Sequence, residues 1–211
     1  KKSMVVSSVS ILIATYNRAD QLGETLRAIA ALRHPAGCRV EVVLVDNNST
    51  DLTRQVVEQA AQYVPCAVVY EFEPRQGKSI ALNRGFARAT GDVIALTDDD
   101  VVLDPAWLER IVAAFRSHDV SFVFGKVLPR WGAPPSAELL ARRGQEMWGP
   151  LGLVDYGDIE TPYTEDGLGT VRPPIGANLA IARHAIARVG GWRPDLGKVN
   201  NSLICGEDYE I

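Results

Sequence analysis

The sequence predicts an α/β fold, a mostly parallel β-sheet with helices on both faces, followed by a loop-rich region. Three observations predict it. Short apolar runs alternate with helical periodicity from about Val9 to Val127. The first four runs each end in a polar cluster. Beyond about Pro129 the periodicity fades, and Pro, Gly, Trp and Tyr become frequent.

The first run, Val9 to Ala14, reads as a buried strand that stops at Thr15-Tyr16-Asn17-Arg18. Leu22, Leu26, Ile29 and Ala30 then recur at helical spacing, with Asp20 as the expected N-cap, and Pro35 and Gly37 end that helix. Val40 to Val45 is a second strand, closing on Asp46-Asn47-Asn48-Ser49-Thr50-Asp51. A helix from about Leu52 to Tyr63 follows, with Ser49 or Thr50 as its expected cap. Ala67 to Phe72 is a third strand, and the loop Glu73 to Gly77 leads into a helix from Lys78 to about Ala89. Gly91 introduces the fourth strand, which ends in Asp98-Asp99-Asp100. Pro105 suits a first helical turn, Trp107 to Arg116 reads as a helix, and Val120 to Val127 as a fifth strand. A short helix near Ser136 to Gln145, a strand from Ile175 to Ala182 and a helix from His184 to Val189 complete the prediction.

Composition bounds the function. A chain of 211 residues with 46% hydrophobic residues supports one domain with a sizeable core. A net charge of −4 argues against nucleic acid as a partner. Cys38, Cys66 and Cys205 are sparse and lack metal spacing, which suggests reduced thiols in a cytoplasmic compartment. No apolar run approaches the ~20 residues of a membrane span. The missing leading Met and the abrupt end at Glu210-Ile211 suggest a fragment, with a membrane segment or helix beyond the end left open.

Three adjacent carboxylates repel one another and gain nothing from a fold alone. They make sense around Mg²⁺ or Mn²⁺, hard cations that prefer carboxylate oxygen. On an extended segment, Asp98 and Asp100 would share a side while Asp99 faces elsewhere. The bland reading is a solvated acidic turn. Against it stand the other clusters, since ligands in such sheets bind outside the carboxyl ends of the strands. No Gly-x-Gly-x-x-Gly follows the first strand, which removes a dinucleotide site. Gly77-Lys78-Ser79 resembles the tail of a P-loop, but Phe72 stands where the earlier glycine is required. What remains is a rim with a cation site, a Lys at a helix start and Arg75 nearby, suited to a metal-bound nucleoside diphosphate.

The pieces Ala14 to Arg18, Val45 to Asp51, Gly77 to Asn83, Thr97 to Asp100, Gly176-Ala177-Asn178 and Gly206-Glu207-Asp208 stand in an order that resembles the family 2 glycosyltransferases. The resemblance implies the GT-A (Rossmann-like) fold. Residues 1–128 would form the nucleotide-sugar-binding half, and residues 129–211 an acceptor-binding and catalytic-base region. It implies inverting, metal-assisted transfer of a sugar from a UDP-, GDP- or TDP-sugar to an acceptor hydroxyl of a sugar, lipid-linked or other molecule. Such a role fits cell-surface polysaccharide or glycoconjugate synthesis, in the cytoplasm or peripherally at the inner face of the membrane.

Residue by residue, the resemblance puts Asp46 on the base, with Ala14, Thr15, Tyr16 and Arg18 around base and ribose. Arg75 and Lys78 would face the nucleotide or its phosphates. Asp98 and Asp99 would lie by ribose and metal. Asp100, with Asp98 in the DXD manner, would ligate the metal, and Asp208 would be the general base with Glu207 beside it. Two departures stand out. The second-strand motif reads Asp-Asn-Asn where the family often has Asp-Asp-Gly, so Asp46 alone carries the acid there. No Gln-x-x-Arg-Trp pattern of processive synthases appears, which favours single sugar addition. Trp131, Trp148 and Trp192 are either packing residues or sugar-stacking ones. The competing classes are an inactive nucleotide-sugar-binding protein on the same fold and a sugar-phosphate nucleotidyltransferase, whose glycine-rich first loop is missing.

Overall fold

A computed structural model describes residues 3–138, 152–155, 157–160 and 174–196. The strands are β1 (Ser8–Thr15), β2 (Arg39–Asp46), β3 (Ala67–Phe72), β4 (Val93–Leu96), β5 (Phe122–Phe124) and β6 (Leu179–Ala182). The helices are α1 (Ala19–Ala30), α2 (Thr53–Ala60), α3 (Lys78–Arg88), α4 (Trp107–Ser117) and α5 (Arg183–Val189). They build one six-stranded sheet in the order β3-β2-β1-β4-β6-β5.

β1 to β4 run parallel, whereas β6 pairs antiparallel with both β4 and β5. The central strands are apolar on both faces because helices cover both. Ile11, Ile13, Val42, Leu44, Val93 and Ala95 pack with α1, α2 and α4. Their neighbours Leu12, Val43, Val45, Ile94 and Leu96 pack on the other face with α3, α5 and Trp192. The alternation follows from side chains projecting to opposite faces along a strand.

Several boundaries differ from expectation. The expected fifth strand shrinks to Phe122–Phe124, and the chain beyond it makes only an isolated bridge between Val127 and Val154. Ile175 does not begin a strand. Gly176–Asn178 form a 3₁₀ turn that delivers the chain into β6. Asp20 lies inside the first turn of α1 and makes no cap hydrogen bond. The cap of α2 comes from Asp51 rather than Ser49 or Thr50. Its Oδ1 accepts the Thr53 N–H at 3.0 Å and the Thr53 hydroxyl at 2.6 Å, while Oδ2 accepts the Ala19 N–H at 3.0 Å. One carboxylate thus satisfies orphan donors at the starts of both α1 and α2. Burial pushes the Asp51 pKa up, but the Thr53 hydroxyl and these N–H groups outweigh it and hold the pKa below the ordinary value.

The expected helix near Ser136 to Gln145 falls almost wholly outside the described residues. Among the described residues, no helix is long and apolar enough to cross a membrane.

Candidate active site

Parallel pairing puts the carboxyl ends of β1, β2 and β4 on one edge of the sheet. Thr15 stands opposite Asp46 in the register, and the Thr97 N–H reaches the Leu12 carbonyl at 3.3 Å. β4 ends at Leu96, and Asp99 and Asp100 lie in a turn, so alternation along an extended strand does not govern the triplet.

Hydrogen bonding sorts the three carboxylates. Asp99 is buried, its Oδ2 accepts the Thr15 hydroxyl at 2.7 Å, and its Oδ1 accepts from Arg18 at 3.3 Å. Burial raises its pKa above the ordinary value, and Thr15 and Arg18 recover only part of that shift. Asp100 is exposed and pairs with the same Arg18 guanidinium. Asp98 pairs with the Lys78 ammonium at 3.4 Å. Arg18 and Lys78 therefore flank the triplet. Tyr16, 47% exposed, stands free of the core at the end of β1, and Ala14 sits below it opposite Val45.

Asp46 is only 2% exposed. Its Oδ1 accepts the Ser49 N–H at 2.8 Å, and its Oδ2 accepts the Tyr70 hydroxyl at 2.8 Å. The Arg54 guanidinium stacks over the Tyr70 ring, 5.6 Å from its centre. Asn17 has φ of 51° and Asn48 has φ of 72°, the left-handed region that asparagine tolerates better than other side chains. Their loops are stitched together. The Asn17 N–H reaches the Ser49 hydroxyl at 2.9 Å, and Asn17 Oδ1 accepts the Thr50 N–H at 2.8 Å.

Arg75 turns towards Glu73. Its Nε donates to the carboxylate at 2.9 Å and its backbone N–H at 3.0 Å. Glu73 is buried, and Arg75 holds its pKa below the ordinary value. Glu207 and Asp208, with Cys205 and Trp148, lie outside the described residues. Trp192 is a packing residue, buried and edge-on to Phe86 at 6.3 Å. In the Gly176-Ala177-Asn178 motif, Asn178 Oδ1 accepts the Trp107 indole N–H at 2.8 Å, and its Nδ2 donates to the Lys126 carbonyl at 2.8 Å. The residues that sequence reasoning missed are Asn47, Tyr70 and Glu73. Tyr70 sat inside an apolar run and Glu73 beside a proline, so only Asn47, next to Asp46, carried a signal.

Among the described residues, no three or more His, Cys, Asp or Glu side chains converge to hold a metal by themselves. Mg²⁺ and its like are commonly held by one or two carboxylates, with substrate phosphates and waters completing the shell. Asp98 and Asp100 are hard oxygen donors, and both are matched with cations that a diphosphate would attract. The donor set fits a divalent cation bound together with its substrate.

The family model for glycosyl transferase family 2 matches residues 10–150. The succinoglycan biosynthesis protein ExoM of Rhizobium meliloti is 32% identical over 160 residues, 76% of this chain and 50% of that protein. The dolichol-phosphate mannosyltransferase of Pyrococcus furiosus is 30% identical over 162 residues, 74% of this chain and 44% of that protein. The chain spans about half the length of such curated relatives. Among solved structures, a mannosyltransferase from Pyrobaculum calidifontis, in complex with GDP-Man and Mn²⁺, superposes with a TM-score of 0.64 at 24% identity, covering 90% of this chain and 48% of that one. S. aureus TarS (residues 1–349) gives 0.65 at 20% identity, covering 96% and 55%. The sheet order, the antiparallel β6 and these likenesses define the GT-A fold. The chain belongs to glycosyl transferase family 2.

Proposed function

We propose that this chain carries out metal-assisted, inverting transfer of a sugar from a nucleoside-diphosphate sugar to an acceptor hydroxyl. The observation that carries the reading is the charge arrangement at the rim. Asp98, Asp99 and Asp100 sit between Lys78 and Arg18, beside a buried Asp46 anchored from two sides. Residues 1–128 would bind the donor and residues 129–211 the acceptor.

Asp46 accepts an N–H of the base, and Ala14, Thr15, Tyr16 and Arg18 line the base and ribose. Arg75 faces the nucleotide from the 73–77 loop. Lys78 supplies fixed positive charge to the diphosphate, with the N-terminus of α3 behind it. Asp98 and Asp100 hold Mg²⁺ or Mn²⁺, and Asp99 orients Arg18 and Thr15 at the ribose. A cation held by Asp98 and Asp100 would supply Lewis-acid stabilisation of the departing diphosphate, beside the positive charge of Lys78. Asp208 takes the proton of the acceptor hydroxyl as that oxygen attacks the anomeric carbon opposite the leaving group, with Glu207 beside it. The names of relatives such as the dolichol-phosphate mannosyltransferase support a lipid-linked acceptor, and with it peripheral attachment to a membrane. The ExoM relative supports a role in polysaccharide synthesis.

Calorimetric titration of UDP, GDP and TDP in the presence of Mn²⁺ tests the reading. Binding of one of them is expected, and binding of none overturns it. Donor hydrolysis that vanishes in Asp208→Asn while nucleotide binding persists supports Asp208 as the base. Binding without any turnover by the unmodified chain would instead favour an inactive nucleotide-sugar-binding protein.

A further inference from the structure

Asn47 is 5% exposed, and its carboxamide is used from both ends. Oδ1 accepts the Gly77 N–H at 2.9 Å. Nδ2 donates to the carbonyls of Glu73 at 3.1 Å and Arg75 at 2.7 Å. Its backbone carbonyl accepts from the Gln76 amide at 2.5 Å, and its N–H reaches the Thr15 carbonyl at 2.8 Å. One residue therefore joins the ends of β1 and β2 to the whole 73–77 loop.

That loop runs directly into α3. Gly77 precedes the helix with φ of 146°, a conformation that residues with side chains rarely adopt. Gly77 has no side chain to hold the turn; Asn47 Oδ1 holds its N–H, while the Glu73 carboxylate holds the Arg75 N–H at 3.0 Å and the Ser79 hydroxyl reaches the Leu196 carbonyl at 2.7 Å. The next residue, Lys78, stands 3.4 Å from Asp98. The Asn47 amide is thus the contact that ties the residue before Lys78 to the end of β2.

We propose that Asn47 is a positioning residue for the diphosphate end of the donor site. This role rests on the nucleotide-sugar reading above. Asn47 fixes where Lys78 and the start of α3 meet the phosphates, and it touches no ligand itself. The loss in a variant therefore falls on the second phosphate rather than on the nucleoside.

The test compares nucleoside monophosphate and diphosphate binding in Mn²⁺, using UMP with UDP, GMP with GDP and TMP with TDP. Asn47→Ala removes both the acceptor and the donor, and Asn47→Leu does so at similar volume where the smaller side chain prevents folding. The expected result is monophosphate affinity within about twofold of the unmodified chain, with diphosphate affinity at least tenfold weaker. Equal losses for both ligands, or no loss for either, would overturn the positioning role and leave the nucleotide site standing. Failure of the unmodified chain to bind any of these nucleotides would instead overturn the nucleotide-sugar reading and this role with it.

Discussion

Tyr70 on β3 donates its hydroxyl to Oδ2 of Asp46 on β2 at 2.8 Å, across a pair of parallel strands. The bond is local support for a carboxylate that is almost completely buried. Burial and the adjacent Asp46 push the Tyr70 pKa up to about 12, so the hydroxyl remains a donor throughout the neutral range. Tyr70→Phe leaves Asp46 Oδ2 without that partner. A loss of about 1–3 kcal/mol of stability is expected from an under-satisfied buried acceptor, measured by denaturant unfolding. Nucleotide affinity in Mn²⁺ should fall in the same variant, because the Asp46 carboxylate is then held only by the Ser49 N–H.

Thr15→Val tests the analogous support at the acidic triplet. It keeps the shape and removes the hydroxyl that donates to buried Asp99 at 2.7 Å. A destabilisation of about 1–3 kcal/mol is expected by thermal or denaturant melting. Thr15→Ser restores the donor and should recover most of it.

Gly91→Ala should be among the more damaging single changes in the sheet. A methyl group there would overlap the backbone nitrogen of Ser10 and lie 2.7 Å from the Val9 carbonyl carbon. Neither atom can rotate away, since both belong to the central strand β1. A cost of about 3 kcal/mol is expected. A melting temperature within a degree of the unmodified chain would contradict that close approach.

Asp92 governs part of the acid response. Its Oδ2 accepts from the Ser7 N–H at 2.9 Å, the Ser7 hydroxyl at 2.8 Å and the N–H and hydroxyl of Ser8, each at 3.0 Å. Burial pushes its pKa up, but these four donors prevail and hold it below the ordinary 3.8. With the folded value depressed, the stabilisation is complete above the unfolded value and disappears as pH falls through the folded one. Asp92→Asn should therefore flatten the decline of unfolding free energy below pH 3.8. An unchanged slope in that range would count against it.

The fold was legible because apolar runs of strand length alternated with helical spacing, and the runs stopped where polar residues clustered. Those stops are the rim. The hand of β6 was not legible, since an apolar run such as Leu179 to Ala182 reads the same in either direction. The α2 cap was missed because Asp51 is two residues closer to the helix than Ser49, a difference that only the turn geometry decides. The exchange of Gly for Asn at position 48 looked like a departure from the family. It is a conservative one, since φ of 72° admits both residues. The pairing of Arg75 with Glu73 was not legible, because it depends on the burial of an acid that stands beside a proline in a loop.

β5 and β6 are side by side, with Phe124 opposite Leu179, yet some fifty residues separate them along the chain. Closing a longer excursion between two fixed points costs only about 0.6 kcal/mol for each doubling of its length. The sheet therefore has little stake in how long that intervening stretch is. Its length can change with little cost to the strands on either side of it.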